Sequence, residues 1–245
     1  MNELCAEFIG TMIMILLGNG VVANVVLKGT KGNNGGWIVI ALGWGLAVFT
    51  GVTIAGPYSG AHLNPAVTVG LAIAGKFAWI KAGMFIVSQM LGAAVGAFLV
   101  WLFYRHHYNE TDDKDAILAT FATSPAIRKL PDNFFCELLG TFVLVFVVLY
   151  IEGATIACNT LPDVKIGMGS LGALPVALLV TAIGLSLGGT TGYAINPARD
   201  LSPRLVHSIL PIKYKGTSDW PYSFVPVLAP IVGATIAAML HLFFK

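Results

Sequence analysis

Two matching stretches constrain this chain more than any other feature. "GAHLNPAVT" runs from Gly60 to Thr68, and "GYAINPARD" runs from Gly192 to Asp200. Both begin with Gly, pass through Asn-Pro-Ala and interrupt an apolar region. Asn followed by Pro is a strong helix-start signal: Asn caps the helix, and Pro at its first position gives up no needed donor. The apolar segments that follow, Pro65–Gly75 and Pro197–Leu210, are short. A helix of about 11 residues rises only about 16 Å, half of a hydrocarbon core about 30 Å thick. Each segment is therefore expected as a re-entrant half-helix. Only the second copy carries charge, as Arg199 and Asp200.

The membrane assignment rests on composition. Of 245 residues, 56% are hydrophobic and 11% are charged, where a soluble domain carries about 25% charged residues. The net charge of +2 argues against a nucleic-acid surface. The first span begins almost at once with Glu7 inside it, so no cleavable signal segment is expected. A spanning helix needs roughly 20 apolar residues, and six stretches are read as spans: Glu3–Leu27, Trp37–Ala55, Ile80–Tyr104, Phe134–Tyr150, Gly172–Leu187 and Phe224–Phe244. Polar connections separate them, among them "KGTKGNNGG" after the first and the mid-chain linker beginning "RHHYNETDDKD" after the third.

The paired triplets belong to a larger repeat. "AEFIGT" at Ala6–Thr11 matches "CELLGT" at Cys136–Thr141. Residues 1–106 form the first repeat, 107–131 a connecting loop and 132–245 the second repeat. Each repeat holds three full spans and one half-helix. Three is odd, so the second repeat enters from the opposite side and the halves are related by inversion. Inverted repeats with broken helices at the midplane mark transport proteins and place the pathway at the repeat interface. The fold class is an all-α membrane protein of six transmembrane helices and two re-entrant half-helices.

Irregular backbone at membrane depth persists only when it is buried in protein or lines a watery cavity. The loops before the triplets are such backbone. The carbonyls of Gly60, Ala61, His62 and Leu63, with those of Gly192 and Ala194, are expected to form a ladder of acceptors. Asn64 and Asn196 are expected to meet at the centre, each offering amide donors to a solute while its own oxygen caps its helix. Two positive helix ends then point at one place, which repels cations and leaves neutral hydrogen-bonding solutes welcome. Arg199, costly at membrane depth, is read as a pore-lining donor held by carbonyls of the neighbouring loop. The competing readings are a snorkelling side chain or an ion pair with Asp200.

Glu7 and Glu137 hold equivalent repeat positions. They are either proton relays or braces that accept N–H bonds from the re-entrant loops, and the symmetric duplication favours braces. His62 has no companions at metal-ligand spacing, so neither a metal nor a cofactor is expected. Cys5, Cys136 and Cys158 are widely spaced and read as small apolar fillers. "GAAVG" at Gly92–Gly96 has the spacing that lets helices approach closely. No phosphate loop or nucleophile motif suggests an enzyme.

These residues together resemble the major intrinsic proteins, the aquaporin and glycerol-facilitator family. The resemblance covers nearly the whole chain and implies a homotetramer with one pore per subunit, embedded in the plasma-membrane bilayer with cytoplasmic termini. It also implies a constriction built from one residue each of spans two and five, one of the second loop, and the Arg. Counting along this sequence gives Trp44, Gly184, Tyr193 and Arg199. Gly184 would leave room that a His fills in a water-selective pore, and the two rings would form an apolar corner. Asp200, Arg204 and Pro226 fit the glycerol branch, whereas Tyr193 stands where that branch often carries Phe.

The implied function is a passive channel for glycerol, water and similar small neutral solutes. The alternatives are a channel chiefly for water or for neutral hydroxy acids, a proton-coupled carrier using Glu7 or Glu137, or a structural membrane protein. The family orientation places four lysines inside, Lys76, Lys81, Lys165 and Lys245, and nine cationic residues outside, against the positive-inside rule.

Overall fold

The computed structural model describes residues 1–158 and 161–245, with side chains described outside 156–165. Among the described residues, six helices are long and apolar enough to cross a membrane. In chain order the helices are α1 (Glu3–Val26), α2 (Trp37–Ser59), α3 (Pro65–Ile73), α4 (Trp79–Glu110), α5 (Lys114–Ala119), α6 (Leu130–Tyr150), α7 (Leu174–Leu187), α8 (Pro197–Ile209) and α9 (Phe224–Phe243). Among them, α3 and α8 are the expected half-helices. Each starts on its Asn-Pro: the Asn64 side-chain oxygen accepts from Ala66 N at 2.8 Å, and that of Asn196 accepts from Ala198 N at 3.0 Å.

Three features differ from the expectation. Helix α4 runs past Tyr104 to Glu110, because no Gly or Pro interrupts "RHHYNE". The mid-chain segment, expected as a loop, contains the short helix α5, where the Asp113 carboxylate caps Asp115 N and Ala116 N and Ile117 and Leu118 are buried. Between α6 and α7 the otherwise helical chain carries an antiparallel hairpin, β1 (Thr155–Cys158) with β2 (Leu161–Lys165). Cys158 lies outside the described side chains. Cys136 is half-buried, but Cys5 is exposed on α1 and is not the packed filler the sequence suggested.

Close helix contact fixes the scaffold. A Cβ on Gly92 of α4 would stand 2.3 Å from the Phe8 carbonyl oxygen of α1, and one on Gly96 2.5 Å from that of Met12. Small residues at this spacing bring two backbones together where lipid supplies no hydrophobic drive. The second half repeats the device once: a Cβ on Gly233 of α9 would stand 2.2 Å from the Leu138 carbonyl oxygen of α6. Six alternating spans put both termini on one face. There Lys81 donates to Glu3 at 2.8 and 3.0 Å. On the opposite face Arg128 pairs with Asp219. Large apolar side chains such as Ile38, Ile80 and Phe103 remain exposed on the outside of the bundle, as a lipid or subunit contact requires.

Candidate functional site

The site is built where the two re-entrant loops meet. Their backbones follow one pattern. Gly60, Ala61 and Leu63 have φ of 79°, 54° and 50°, and Gly192, Tyr193 and Ile195 have φ of 81°, 38° and 42°. Left-handed φ is uncommon for residues with a side chain, most of all a β-branched one such as Ile195. Such strain persists only where the surroundings over-determine it.

The two glutamates do much of that determining. Glu7, fully buried on α1, accepts from His62 N at 2.9 Å, Leu63 N at 2.8 Å and Ser59 Oγ at 2.6 Å. Glu137 on α6 accepts from Ala194 N at 2.9 Å, Ile195 N at 2.8 Å and Thr191 Oγ1 at 2.6 Å. The two sets match residue for residue. Glu7 also accepts from Gln89 Nε2, at 2.8 Å.

At the centre the halves clasp one another. Asn64 Nδ2 donates to the Ile195 carbonyl at 2.8 Å, and Asn196 Nδ2 donates to the Leu63 carbonyl at 2.9 Å. Each amide nitrogen has two N–H groups. One therefore holds the opposite loop, and the other has no partner among the described residues.

A cavity of about 260 Å³ runs through this junction. That is an order of magnitude more than the roughly 10–15 Å³ one water needs. Gly60, Ala61, His62, Leu63, Asn64, Ala194, Ile195 and Asn196 line it, opposite an apolar wall that includes Val48, Val52, Leu144, Val148 and Val180. His62 keeps Nδ1 3.1 Å from Thr68 Oγ1, and its ring is wedged between Phe77 and Phe85. Among the described lining residues Arg199 is the one permanent charge.

Of the four residues expected at a constriction, Trp44, Tyr193 and Arg199 line the cavity. The Arg199 guanidinium stacks 4.3 Å over the Trp44 ring centroid, and that ring lies on Gly18 of α1. Arg199 Nη1 donates to the Phe121 carbonyl at 3.4 Å. The holding carbonyl thus comes from the mid-chain segment after α5, not from the neighbouring loop. Nor does Arg199 pair with Asp200, whose carboxylate is engaged by Arg204 and Thr123.

Gly184 is not among the cavity-lining residues. The Tyr193 ring occupies the space beside it: a Cβ on Gly184 would stand 2.8 Å from the Tyr193 hydroxyl oxygen, and one on Gly188 2.6 Å from Cδ1. Gly184 on α7 and Gly188, the residue that caps its end, form a slot for the ring. The slot is closed by Trp37, whose Nε1 donates to the Gly184 carbonyl at 2.8 Å. The Tyr193 hydroxyl is buried in this slot with no partner among the described residues. The pathway meets the ring, and the extra bulk of Tyr over Phe is absorbed by glycine. Gly192 also stands away from the cavity, against the Thr123 side chain.

This arrangement has known relatives. The family description "Major intrinsic protein" matches residues 1–241. The chain belongs to the major intrinsic protein family. A probable glycerol uptake facilitator protein of Thermotoga maritima is 56% identical over 98% of both chains. A glycerol uptake facilitator protein of Streptococcus pneumoniae strain R6 is 51% identical over the full length of both. Among solved structures, the aquaglyceroporin of Plasmodium falciparum superposes with a TM-score of 0.80 at 34% identity, covering 98% of this chain and 94% of that one.

Within this member of the family, sequence reasoning missed Phe121, Thr123, Gly188 and Trp37. Phe121 acts through a backbone carbonyl, which carries no residue-type signal. Ser59 and Thr191 were findable, since they stand at the same distance before their respective triplets.

Proposed function

We propose that this protein is a passive channel of the glycerol-facilitator branch, conducting glycerol and other small neutral solutes together with water. The observation that carries the reading is the cavity itself. One wall is apolar, and the other presents the loop residues, two amide donors at the centre and the Arg199 guanidinium. A polyol fits such a path with its CH edge on the apolar wall and its hydroxyls on the polar one. Two helix N-termini and Arg199 supply positive potential, and no carboxylate among the described lining residues offsets it; hydrated cations are disfavoured. The relatives named as glycerol uptake facilitators support the same substrate class.

In this reading Trp44, Tyr193 and Arg199 form the selectivity filter, with Gly184 acting behind Tyr193. Asn64 and Asn196 are the central donors, and Glu7 and Glu137 brace the loops. Residues 1–106 and 132–245 are the two repeats around a connecting segment, 107–131. The protein works as a homotetramer in the plasma membrane, its termini in the cytoplasm, with neither cofactor nor catalysis. The proton-coupled alternative is disfavoured because both glutamates are saturated with loop donors.

Stopped-flow light scattering on proteoliposomes tests the proposal. Glycerol and water should enter faster than into empty liposomes, linearly with concentration and indifferent to a pH gradient. Glycerol entry at the empty-liposome rate would sink it.

A further inference from the structure

The two half-helices differ in one respect that the central clasp does not explain. Where α3 has Val67, Thr68 and Ala72, the equivalent positions of α8 hold Arg199, Asp200 and Arg204. Arg199 reaches the cavity. Asp200 and Arg204 do not, and both are fully buried. Two buried charges at membrane depth are expensive unless each is paired and hydrogen-bonded.

Their partners show what they hold. Asp200 Oδ1 accepts from Arg204 Nε at 2.8 Å, and Oδ2 accepts from both Thr123 N and Thr123 Oγ1 at 2.7 Å. Arg204 Nη2 donates to the Thr123 carbonyl at 2.8 Å, and Nη1 donates to the carbonyls of Ser218 at 2.7 Å and Asp219 at 3.1 Å. Thr123 is thus gripped at its N–H, its hydroxyl and its carbonyl. Two residues earlier, the Phe121 carbonyl accepts from Arg199 at 3.4 Å and from Asn19 Nδ2 at 3.5 Å. Both bonds are long and hold that carbonyl weakly, whereas Thr123, two residues on, is held by short bonds at three points. Thr123 also abuts Gly192, the residue before Tyr193.

We infer that Asp200 and Arg204 are positioning residues for selectivity: by locking Thr123 they place the Phe121 carbonyl, and through it the Arg199 guanidinium, at the width of the pathway. Neither touches a solute. The pair adds to α8 a second function, a clamp on the mid-chain segment that carries the acceptor for its own Arg199. This inference rests on the channel reading above.

The test compares glycerol and water permeability of the full-length protein in proteoliposomes, per folded channel, for Asp200→Asn and Thr123→Val. Thr123→Val removes a single hydroxyl and keeps both charges paired, so it also serves if Asp200→Asn fails to fold. Each variant should change the glycerol-to-water ratio, by roughly tenfold for Asp200→Asn and less for Thr123→Val, as expected when a supporting shell loosens a site by about 1 Å. In an Arg199→Ala background the same substitutions should leave the ratio unmoved, because their effect passes through Arg199. A purely structural role would scale both fluxes together, or would act equally in both backgrounds; either result overturns the inference. Failure of both variants to yield folded channel overturns it too, since the network would then keep the fold and not the filter. A wild-type protein that conducts no glycerol would instead refute the channel reading.

Discussion

The ring of Tyr193 lies so close to Gly184 that a Cβ on that glycine would stand 2.7 Å from Cζ. Gly184 therefore leaves room for the Tyr193 ring, and on the proposed channel reading this widens the pathway indirectly. A larger residue at 184 would meet the Tyr193 ring, which lines the cavity, and displace it. Gly184→His should reduce glycerol permeability about tenfold while sparing most of the water flux, if overpacking of about 1–3 kcal/mol falls on the permeation barrier. Adding Tyr193→Ala should restore part of the glycerol flux. Paired light-scattering traces for both solutes check this, and equal loss of glycerol and water would contradict it.

Tyr193→Phe should be nearly silent. The hydroxyl is buried in the slot of α7 without a partner, and replacing an unsatisfied polar group by an apolar one of the same shape is neutral or stabilising. The glycerol-to-water ratio should stay within about twofold of wild type, since no solute bond is lost. A large fall in flux of a hydroxy acid at acidic pH, with glycerol unchanged, would show that the hydroxyl turns into the pathway.

Asn196→Ala removes the donor that meets the Leu63 carbonyl and the cap on two N–H groups of α8. Leaving the buried carbonyl unpaired costs about 1–3 kcal/mol, and losing the cap costs about another 1 kcal/mol. Thermal unfolding in detergent should shift to lower temperature, and both solute fluxes should fall. An unchanged unfolding temperature would mean that water satisfies these groups as well as the asparagine does.

Glu137→Gln separates bracing from proton transfer. The amide keeps one acceptor but loses the charge-assisted bonds, each worth about 1.5–3 kcal/mol, that hold Ala194 N and Ile195 N. A brace predicts a smaller yield of folded channel, with water and glycerol reduced together and no response to a pH gradient before or after the change. A relay predicts normal folding and the specific loss of gradient-driven uptake.

Much of this molecule was written in residue types. Apolar length marked the spans, and Asn64-Pro65 and Asn196-Pro197 marked the half-helices because capping and the missing donor of Pro are local chemistry. Glu7 and Glu137 were visible because a carboxylate inside a span demands partners. What the sequence hid were relationships between distant backbones. The Phe121 carbonyl meets Arg199 across 78 positions, and any residue at 121 would present the same oxygen. Gly184 was legible as space, but not as space already taken by Tyr193. Helix α5 is too short for periodicity to reveal, and the sequence at the hairpin does not alternate apolar with polar residues.

The crossed bonds from Asn64 to Ile195 and from Asn196 to Leu63 also set an order of events during synthesis. A ribosome delivers the first loop long before residue 195 exists, so the first half must wait in the bilayer with its clasp open. Its conducting path is finished only when the second half arrives and both locks close at once. On the channel reading, a chain that ends before residue 195 lacks two of the four groups of the clasp, so its path is incomplete.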